Sequence, residues 1–288
     1  ACRGSECDRA RGVTALSGLK ISGAAPARRP SLLTISFLLS PLSYITIFPI
    51  MTTNQHPLTE AEVAHYRQHG YVAVGNFFPA DELQALDEHL DRFAAGHEAD
   101  AFEHKGQDYR GWIMRLGLAT PQTAAFCADD RVLDLINPLV HPGIAIYSAK
   151  LVAKEPHDTN ICHWHQDDAY YTQHSQSQTR MSTWIPLQDS SRENGCLQLI
   201  PGSHHRGLQP ASNKEGGTCN LGIDREIDLD NRIYLPTRAG TIVLFSALLW
   251  HASDGNQTDQ RRRAFIVSYQ EATVQGGNAD QWQVLRAA

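Results

Sequence analysis

Histidine is absent from the first fifty residues of this 288-residue chain, although the chain holds 14. Acids are scarce there as well. Residues 1–50 carry six Lys/Arg and two acids, a balance of +4, which leaves 51–288 with 19 basic and 29 acidic residues, a balance of −10. A body so acidic excludes nucleic acid or an anionic membrane as its main partner. There is no G-x-G-x-x-G, no P-loop, no G-x-S-x-G and no internal repeat. Dinucleotide-binding, P-loop and nucleophile-elbow chemistries therefore have no carrier here. The six cysteines show neither C-x-x-C nor zinc spacing. Cys127, Cys162, Cys196 and Cys219 read as buried or half-buried free thiols of a reducing compartment. At 42% hydrophobic and 19% charged, the chain is neither disordered nor a disulfide scaffold, and it is long enough for a full core.

The leader has one notable run. Ser31–Ile50 has no charge and follows Arg28-Arg29-Pro30. Alone it looks like a signal-sequence core or a short anchor. Pro41 and Pro49 count against a spanning helix, and no small-x-small cleavage site precedes Met51. Met51-Thr52-Thr53-Asn54-Gln55 reads like the start of a soluble protein. The expectation is that 1–50 is an N-terminal extension outside the folded working unit, and that 51–288 is one domain. Its expected place is the cytoplasm, with no stable membrane association. An organelle or a membrane is the alternative if 1–50 is a genuine targeting segment.

Helices come first in the body. Thr59-Glu60-Ala61-Glu62 has capping-box spacing and predicts a helix to about His69, stopped by Gly70, with Val63 and Tyr66 inward. Tyr71–Val74 reads as a strand. Pro79-Ala80-Asp81-Glu82 starts a second helix with Leu83, Leu86, Leu90 and Phe93 on one stripe, ended by Gly96. Thr120-Pro121 opens a third, running with a break to about Ile136. After Pro142 the period shortens. Residues 144–153, 180–187, 197–200, 241–245 and 264–269 have strand character, separated by turn clusters such as Glu193-Asn194-Gly195 and Pro201-Gly202-Ser203. Helices first and many short strands later predict a mainly β, α+β architecture: a sandwich or barrel with flanking helices. Residues 209–236 form a long polar insertion of the kind that serves as a lid or stays disordered.

The chemistry concentrates in His163-Trp164-His165-Gln166-Asp167-Asp168-Ala169-Tyr170-Tyr171. In extended chain, i and i+2 share a face, so His165 and Asp167 can reach one metal ion. Imidazole and carboxylate together suit Fe(II), and a third ligand completes a 2-His-1-carboxylate triad. His251 is delivered for that place, 86 residues later, at the end of the apolar run Thr241–Phe245. Eleven residues further stands Arg262, whose planar guanidinium can clamp a carboxylate with two parallel hydrogen bonds. Its neighbours Arg261 and Arg263 read as a solvated basic turn. His163 shares the face of His165, Asp168 falls opposite and is solvated or paired, and His204 reads as structural.

These segments together resemble the phytanoyl-CoA dioxygenase family of Fe(II)/2-oxoglutarate oxygenases. The resemblance runs over 58–269 and rests on Leu58 to Tyr71, Trp164-His165-Gln166-Asp167, Glu193 to Leu197, Pro201 to His204, and Trp250-His251 through Arg262. It implies a double-stranded β-helix, the jelly-roll, cupin-like core. It implies Fe(II) on His165, Asp167 and His251, with 2-oxoglutarate and O2 as cosubstrates. Arg262 matches the anchor for the distal carboxylate of 2-oxoglutarate, Ser253 a second contact to it, Trp184 a wall of its pocket, and Lys150 a cosubstrate-facing position. Asn256 matches a recurring turn residue. Tyr170 and Tyr171 line the substrate mouth or simply pack. The expected activity is hydroxylation of a small-molecule metabolite with release of succinate and CO2. The intact Asp167 favours this over halogenation, since halogenating relatives put a small residue there. Substrate choice is expected to lie in 98–115, 168–180 and 209–236. Two other readings stand beside it: a cupin-type metal oxygenase using His163 and His165, and a non-catalytic member that binds a small ligand.

Overall fold

The computed structural model describes residues 51–52, 57–102, 112–114, 117–171, 177–275 and 282–288. The leader and parts of the substrate-choice segments 98–115 and 168–180 lie outside the described residues.

The first helix, Glu60–His69, forms where its cap predicts. The Thr59 side chain accepts from the Glu62 amide, Glu62 reaches back to the Thr59 amide at 2.7 Å, and Gly70 closes the helix at φ 84°. The second helix, Ala80–Phe102, buries Leu83, Leu86 and Leu90 but does not stop at Gly96. A helical glycine costs only about 1 kcal/mol, too little to break a helix by itself. Two short helices follow, Pro121–Cys127 and Asp130–Ile136, separated by the expected break.

Two sheets make the rest. The major, eight-stranded sheet runs in spatial order Met51–Thr52, Tyr71–Gly75, Ile242–Ser246, Met181–Pro186, Arg262–Gln270, Ile144–Lys154 and Gln283–Arg286, with Trp112–Met114 also on Ile144–Lys154. The minor, five-stranded sheet runs Ile233–Leu235, Leu197–Leu199, His251–Ser253, Ile161–His165 and Gly217–Cys219. Nearly all pairings are antiparallel; Met51–Thr52 against Tyr71–Gly75, and Ile161–His165 against Gly217–Cys219, are parallel. The insertion at 209–236 is not a structureless loop. It contains the hairpin pair Ala211–Asn213 and Leu221–Ile223, besides two strands of the minor sheet.

The major sheet is covered on both faces, so its central strands are apolar almost throughout. One face carries Val72, Val74, Leu151, Ile185, Leu244, Phe265 and Val267 and packs on the helices through Leu83, Leu86, Leu90, Leu135 and Ile136. The other face carries Val152, Trp184, Val243, Phe245, Ala264 and Ile266 and meets Leu197 and Leu199 of the minor sheet. Alternation along each strand assigns these two sets. The result is the jelly roll with flanking helices that the sequence pointed to. The second interior, between the sheets, holds the polar residues.

Candidate metal and cosubstrate site

Strand pairing brings the two histidines together. His251 and His165 are direct cross-strand partners in the minor sheet, and their rings lie 4.0 Å apart, centre to centre. Asp167 follows the end of Ile161–His165, where a buried glutamine fixes the turn. The Gln166 amide donates to the Gly207 and Leu248 carbonyls at 3.0 and 2.7 Å, and its oxygen accepts from the Gln209 amide at 2.7 Å. His165, Asp167 and His251 are all buried, and their ligating atoms lie within 4.8 Å of one another.

The tautomers follow from the partners. His165 Nδ1 is 2.7 Å from the His163 carbonyl and His251 Nδ1 is 2.9 Å from the Leu249 carbonyl. A carbonyl only accepts, so each Nδ1 carries the hydrogen and each Nε2 presents a lone pair. Those Nε2 atoms stand 4.0 and 3.9 Å from Asp167 Oδ1. Burial lowers the pKa of both imidazoles, and for His165 the neighbouring His251 lowers it further. Burial opposes ionisation of Asp167, but Lys150 first, then His251, His165 and the Ser182 hydroxyl, hold it below the usual carboxylate range. Two neutral imidazoles and an ionised carboxylate are the protonation states that a divalent ion requires.

A cavity of about 40 Å³ adjoins these three residues, and its lining includes Lys150, Lys154, Trp184, Ser253 and Arg262. All five are buried. Lys150 comes within 3.5 Å of both Asp167 Oδ1 and the Tyr171 hydroxyl. Arg262 and Lys154 are cross-strand partners at the cavity's far end. The guanidinium is held by the turn at 193–195, through the Asn194 carbonyl at 3.3 Å and the Gly195 carbonyl at 2.5 Å. Gly195 has φ +80°, and a Cβ there would sit 2.4 Å from the Asp254 carbonyl oxygen. Only glycine lets this turn come so close. Burial lowers the Arg262 pKa to about 10, and no carboxylate among the described residues lies within ion-pair distance of it. The Trp184 ring lies 5.8 Å from its guanidinium carbon.

The other expected residues fall outside this lining. Tyr170 packs edge-on to His165, and its hydroxyl accepts from the Leu221 amide at 2.9 Å, tying it to the insertion. The Tyr171 hydroxyl sits 3.3 and 3.4 Å from Ser148 and Ser268. His163 is turned away, with Nε2 3.0 Å from the Glu215 carbonyl, so the H-x-H pair of a cupin-type site does not form. Asn256 bonds the carbonyls of Lys154 and Gln260 and the amide of Thr258, as turn chemistry. His204 is bound to the Arg67 carbonyl, a structural use.

Two readings of the sequence are corrected. Cys162 and Cys219 form a disulfide and are not free thiols, while Cys127 and Cys196 are free and buried. Their separation of 57 residues gave no spacing to read; the parallel pairing of their strands brings them together. Arg263 is not solvated: it is buried against Asp87 and Asp91 of the second helix, and Arg261 joins the same acids from the surface. Two side chains beside the site went unread, Ser182 and Arg180. Ser182 donates to Asp167 Oδ2 at 2.6 Å, and Arg180 pairs with the buried Asp168.

A jelly roll whose interior brings two imidazoles and a carboxylate beside a buried arginine is the architecture of the 2-oxoglutarate-dependent non-haem iron dioxygenases. The profile of the phytanoyl-CoA dioxygenase family matches residues 66–264, and the chain belongs to that family. It is 27% identical over 236 residues to the ectoine dioxygenase of Sphingopyxis alaskensis, covering 75% of this chain and 77% of that one. It is 33% identical over 147 residues to mouse phytanoyl-CoA dioxygenase domain-containing protein 1, covering 49% and 48%. Among solved structures it is similar to a non-haem α-ketoglutarate-dependent carbocyclase of nogalamycin biosynthesis, with TM-score 0.65, 21% identity and 78% and 89% of the two chains covered. It is also similar to the iron-bound S. alaskensis EctD, with TM-score 0.63, 22% identity and 77% and 80% covered. The structural likenesses speak for the fold. Fe(II) and 2-oxoglutarate are the cofactor and cosubstrate of the class. No helix among the described residues is long and apolar enough to cross a membrane.

Proposed function

We propose that the chain hydroxylates a small-molecule metabolite: R–H, 2-oxoglutarate and O2 become R–OH, succinate and CO2. His165, Asp167 and His251 hold the iron in this reading. The observation that carries it is the convergence of two Nε2 lone pairs on the oxygen of an ionised, buried Asp167. Bound Fe(II) supplies the activation of O2, coupled to decarboxylation of 2-oxoglutarate.

The chain's own residues do the rest. Arg262 takes the distal carboxylate of 2-oxoglutarate, since a buried guanidinium fixed by two backbone carbonyls is a ready anion site. Ser253 offers that carboxylate a hydroxyl, and Trp184 walls the cosubstrate on one side. Lys150 faces the same cavity and, through Asp167, keeps the ligand carboxylate ionised. Tyr170 and Tyr171 border the substrate side, with Tyr170 linking the site to the 209–236 insertion. An intact carboxylate at 167 supports hydroxylation over halogenation. The working domain in this reading is 51–288, acting in the cytoplasm without a stable membrane contact, and its acidity suits a small substrate better than a highly anionic thioester.

The test is succinate release by the full chain with Fe(II), ascorbate and 2-oxoglutarate under air, across a panel of small metabolites. Iron-dependent succinate, rising with one substrate class together with its hydroxylated product, is expected. No succinate and no iron-dependent binding of 2-oxoglutarate would overturn the proposal.

A further inference from the structure

The insertion meets the metal strand at the tip of its hairpin. Ala211–Asn213 and Leu221–Ile223 pair, and the tip between them, 214–220, lies along Ile161–His165. The tip reads Lys214-Glu215-Gly216-Gly217-Thr218-Cys219-Asn220 and brings no large apolar side chain to this contact. Its pairing is short, parallel and irregular: Ile161 faces Gly217 and Cys162 faces Cys219, with the register shifted between them. Gly217–Cys219 is an edge of the minor sheet, so no described strand pairs with its other side. Two further hydrogen bonds help, from the His163 ring to the Glu215 carbonyl at 3.0 Å and from the Leu221 amide to the Tyr170 hydroxyl at 2.9 Å. The covalent tie is the Cys162–Cys219 bond.

That bond is also part of the site. Both cysteines line the cavity shared by His165, Asp167, His251 and Arg262, and Cys162 Sγ packs 3.5 Å from Nδ1 of His165. Two thiols need more room than one disulfide, because the sulfurs pass from bonded to van der Waals contact. A close-packed wall has no slack for this, so one side must give. Cys162 sits on a strand paired on both sides, by His251–Ser253 and by the tip itself. Cys219 sits on an edge of three residues beside two glycines. Segments with few apolar contacts and one paired edge open first. The tip is the side that gives.

We propose that the Cys162–Cys219 bond is a redox latch: it holds the tip of the insertion as a wall of the cosubstrate cavity, and its reduction releases the tip and weakens 2-oxoglutarate binding. Cys219 is buried and Cys162 half-buried, so a thiolate of a small dithiol attacks Cys162 Sγ. Cys219 leaves with the electron pair and takes a proton. The second thiol of the reductant displaces Cys162, which takes a proton in turn, and the reductant leaves as its own disulfide. In the cytoplasm proposed above, a bond of this kind is made and broken in use rather than permanent. The effect on 2-oxoglutarate rests on the iron reading of the site; release of the tip does not.

Two measurements separate these parts. Full chain purified under air, its thiols counted by labelling, is compared with the same chain reduced by dithiothreitol and freed of it without air. Amide hydrogen exchange over 214–221, read by mass spectrometry, should be roughly tenfold or more faster in the reduced chain. Cys219→Ser should match the reduced chain with or without reductant. Both thiols free in the air-purified chain, equal exchange before and after reduction, or a reductant response that persists in Cys219→Ser overturns the latch. Anaerobic binding of 2-oxoglutarate to the Fe(II)-loaded chain is then measured. With the tip seated in about a tenth of reduced chains, the apparent Kd should rise roughly tenfold on reduction. An unchanged Kd beside a released tip overturns the coupling to the site. A released tip with no 2-oxoglutarate bound by either form upholds the latch and places the failure in the iron reading.

Discussion

Ser182 donates a hydrogen bond of 2.6 Å to Oδ2 of Asp167, the oxygen turned away from the two imidazoles. Ser182 sits on a central strand of the major sheet, so the bond ties the carboxylate of the minor-sheet turn to the opposite layer. It fixes the carboxylate plane and leaves Oδ1 for a metal ion. Partners of this kind set metal affinity by about 10–100-fold. Ser182→Ala should weaken Fe(II) binding within that range while the chain stays folded. An unchanged iron titration curve would show that the hydroxyl only fills space.

Arg262 stands buried at the cavity end, held by carbonyls and by no carboxylate among the described residues. A hydrogen bond to a charged group contributes about 1.5–3 kcal/mol, so Arg262→Ala should raise the KM for 2-oxoglutarate roughly 10–150-fold. The effect should fall far more on KM than on kcat. A KM equal to that of the wild type would remove this arginine from the cosubstrate site.

Much of this was legible in the sequence. The capping box at Thr59, the five longer strand runs after Pro142, and the trio His165, Asp167, His251 each had a local pattern with a physical cause. What was illegible depends on contacts between distant segments. Ser182 sits in an apolar strand, and nothing near it in the chain announces Asp167. The Cys162–Cys219 bond needs a parallel pairing between a strand and an insertion that carried weak strand signals. Arg263 looked solvated, like Arg261, because its partners, Asp87 and Asp91, lie on a helix some 170 residues earlier. Gly96 failed as a stop because a glycine ends a helix only when the backbone turns left-handed there, as it does at Gly70.

Arg180 and Asp168 form a buried ion pair, with the guanidinium also over the Tyr147 ring at 4.6 Å and bonded to the Gln270 side chain at 3.0 Å. Removing the arginine takes away the cation that faces a buried carboxylate. Arg180→Ala should cost about 3–5 kcal/mol in urea unfolding. The companion Asp168→Ala, Arg180→Ala double variant should cost less than the two single losses added. Simple additivity would mean that the pair is not coupled.

Lys154 is buried, and its pKa is pushed down to about 7, by burial first and by Arg262 across the strand pair second. Below about 7 it is charged in folded and unfolded chain alike, and the cost of burying that charge is complete. Between about 7 and its ordinary 10.5 the unfolded chain holds a proton that the folded chain has shed, so this site's contribution to stability climbs with pH. Lys154→Met should therefore melt higher than wild type at pH 6, by about 2–4 °C per kcal/mol relieved, with the gap closing towards pH 10. A gap that is constant or widens with pH contradicts the assignment.

The central claim is that one Fe(II) sits on His165, Asp167 and His251 with 2-oxoglutarate beside it. Its most direct test is an anaerobic titration of the full chain with Fe(II) in the presence of 2-oxoglutarate, following the visible metal-to-ligand charge-transfer band of the chelated cosubstrate. The account predicts a band that saturates at one iron per chain and disappears in His165→Ala, Asp167→Ala and His251→Ala variants that remain folded. A band that survives the loss of His251, or none in the wild type, would contradict it.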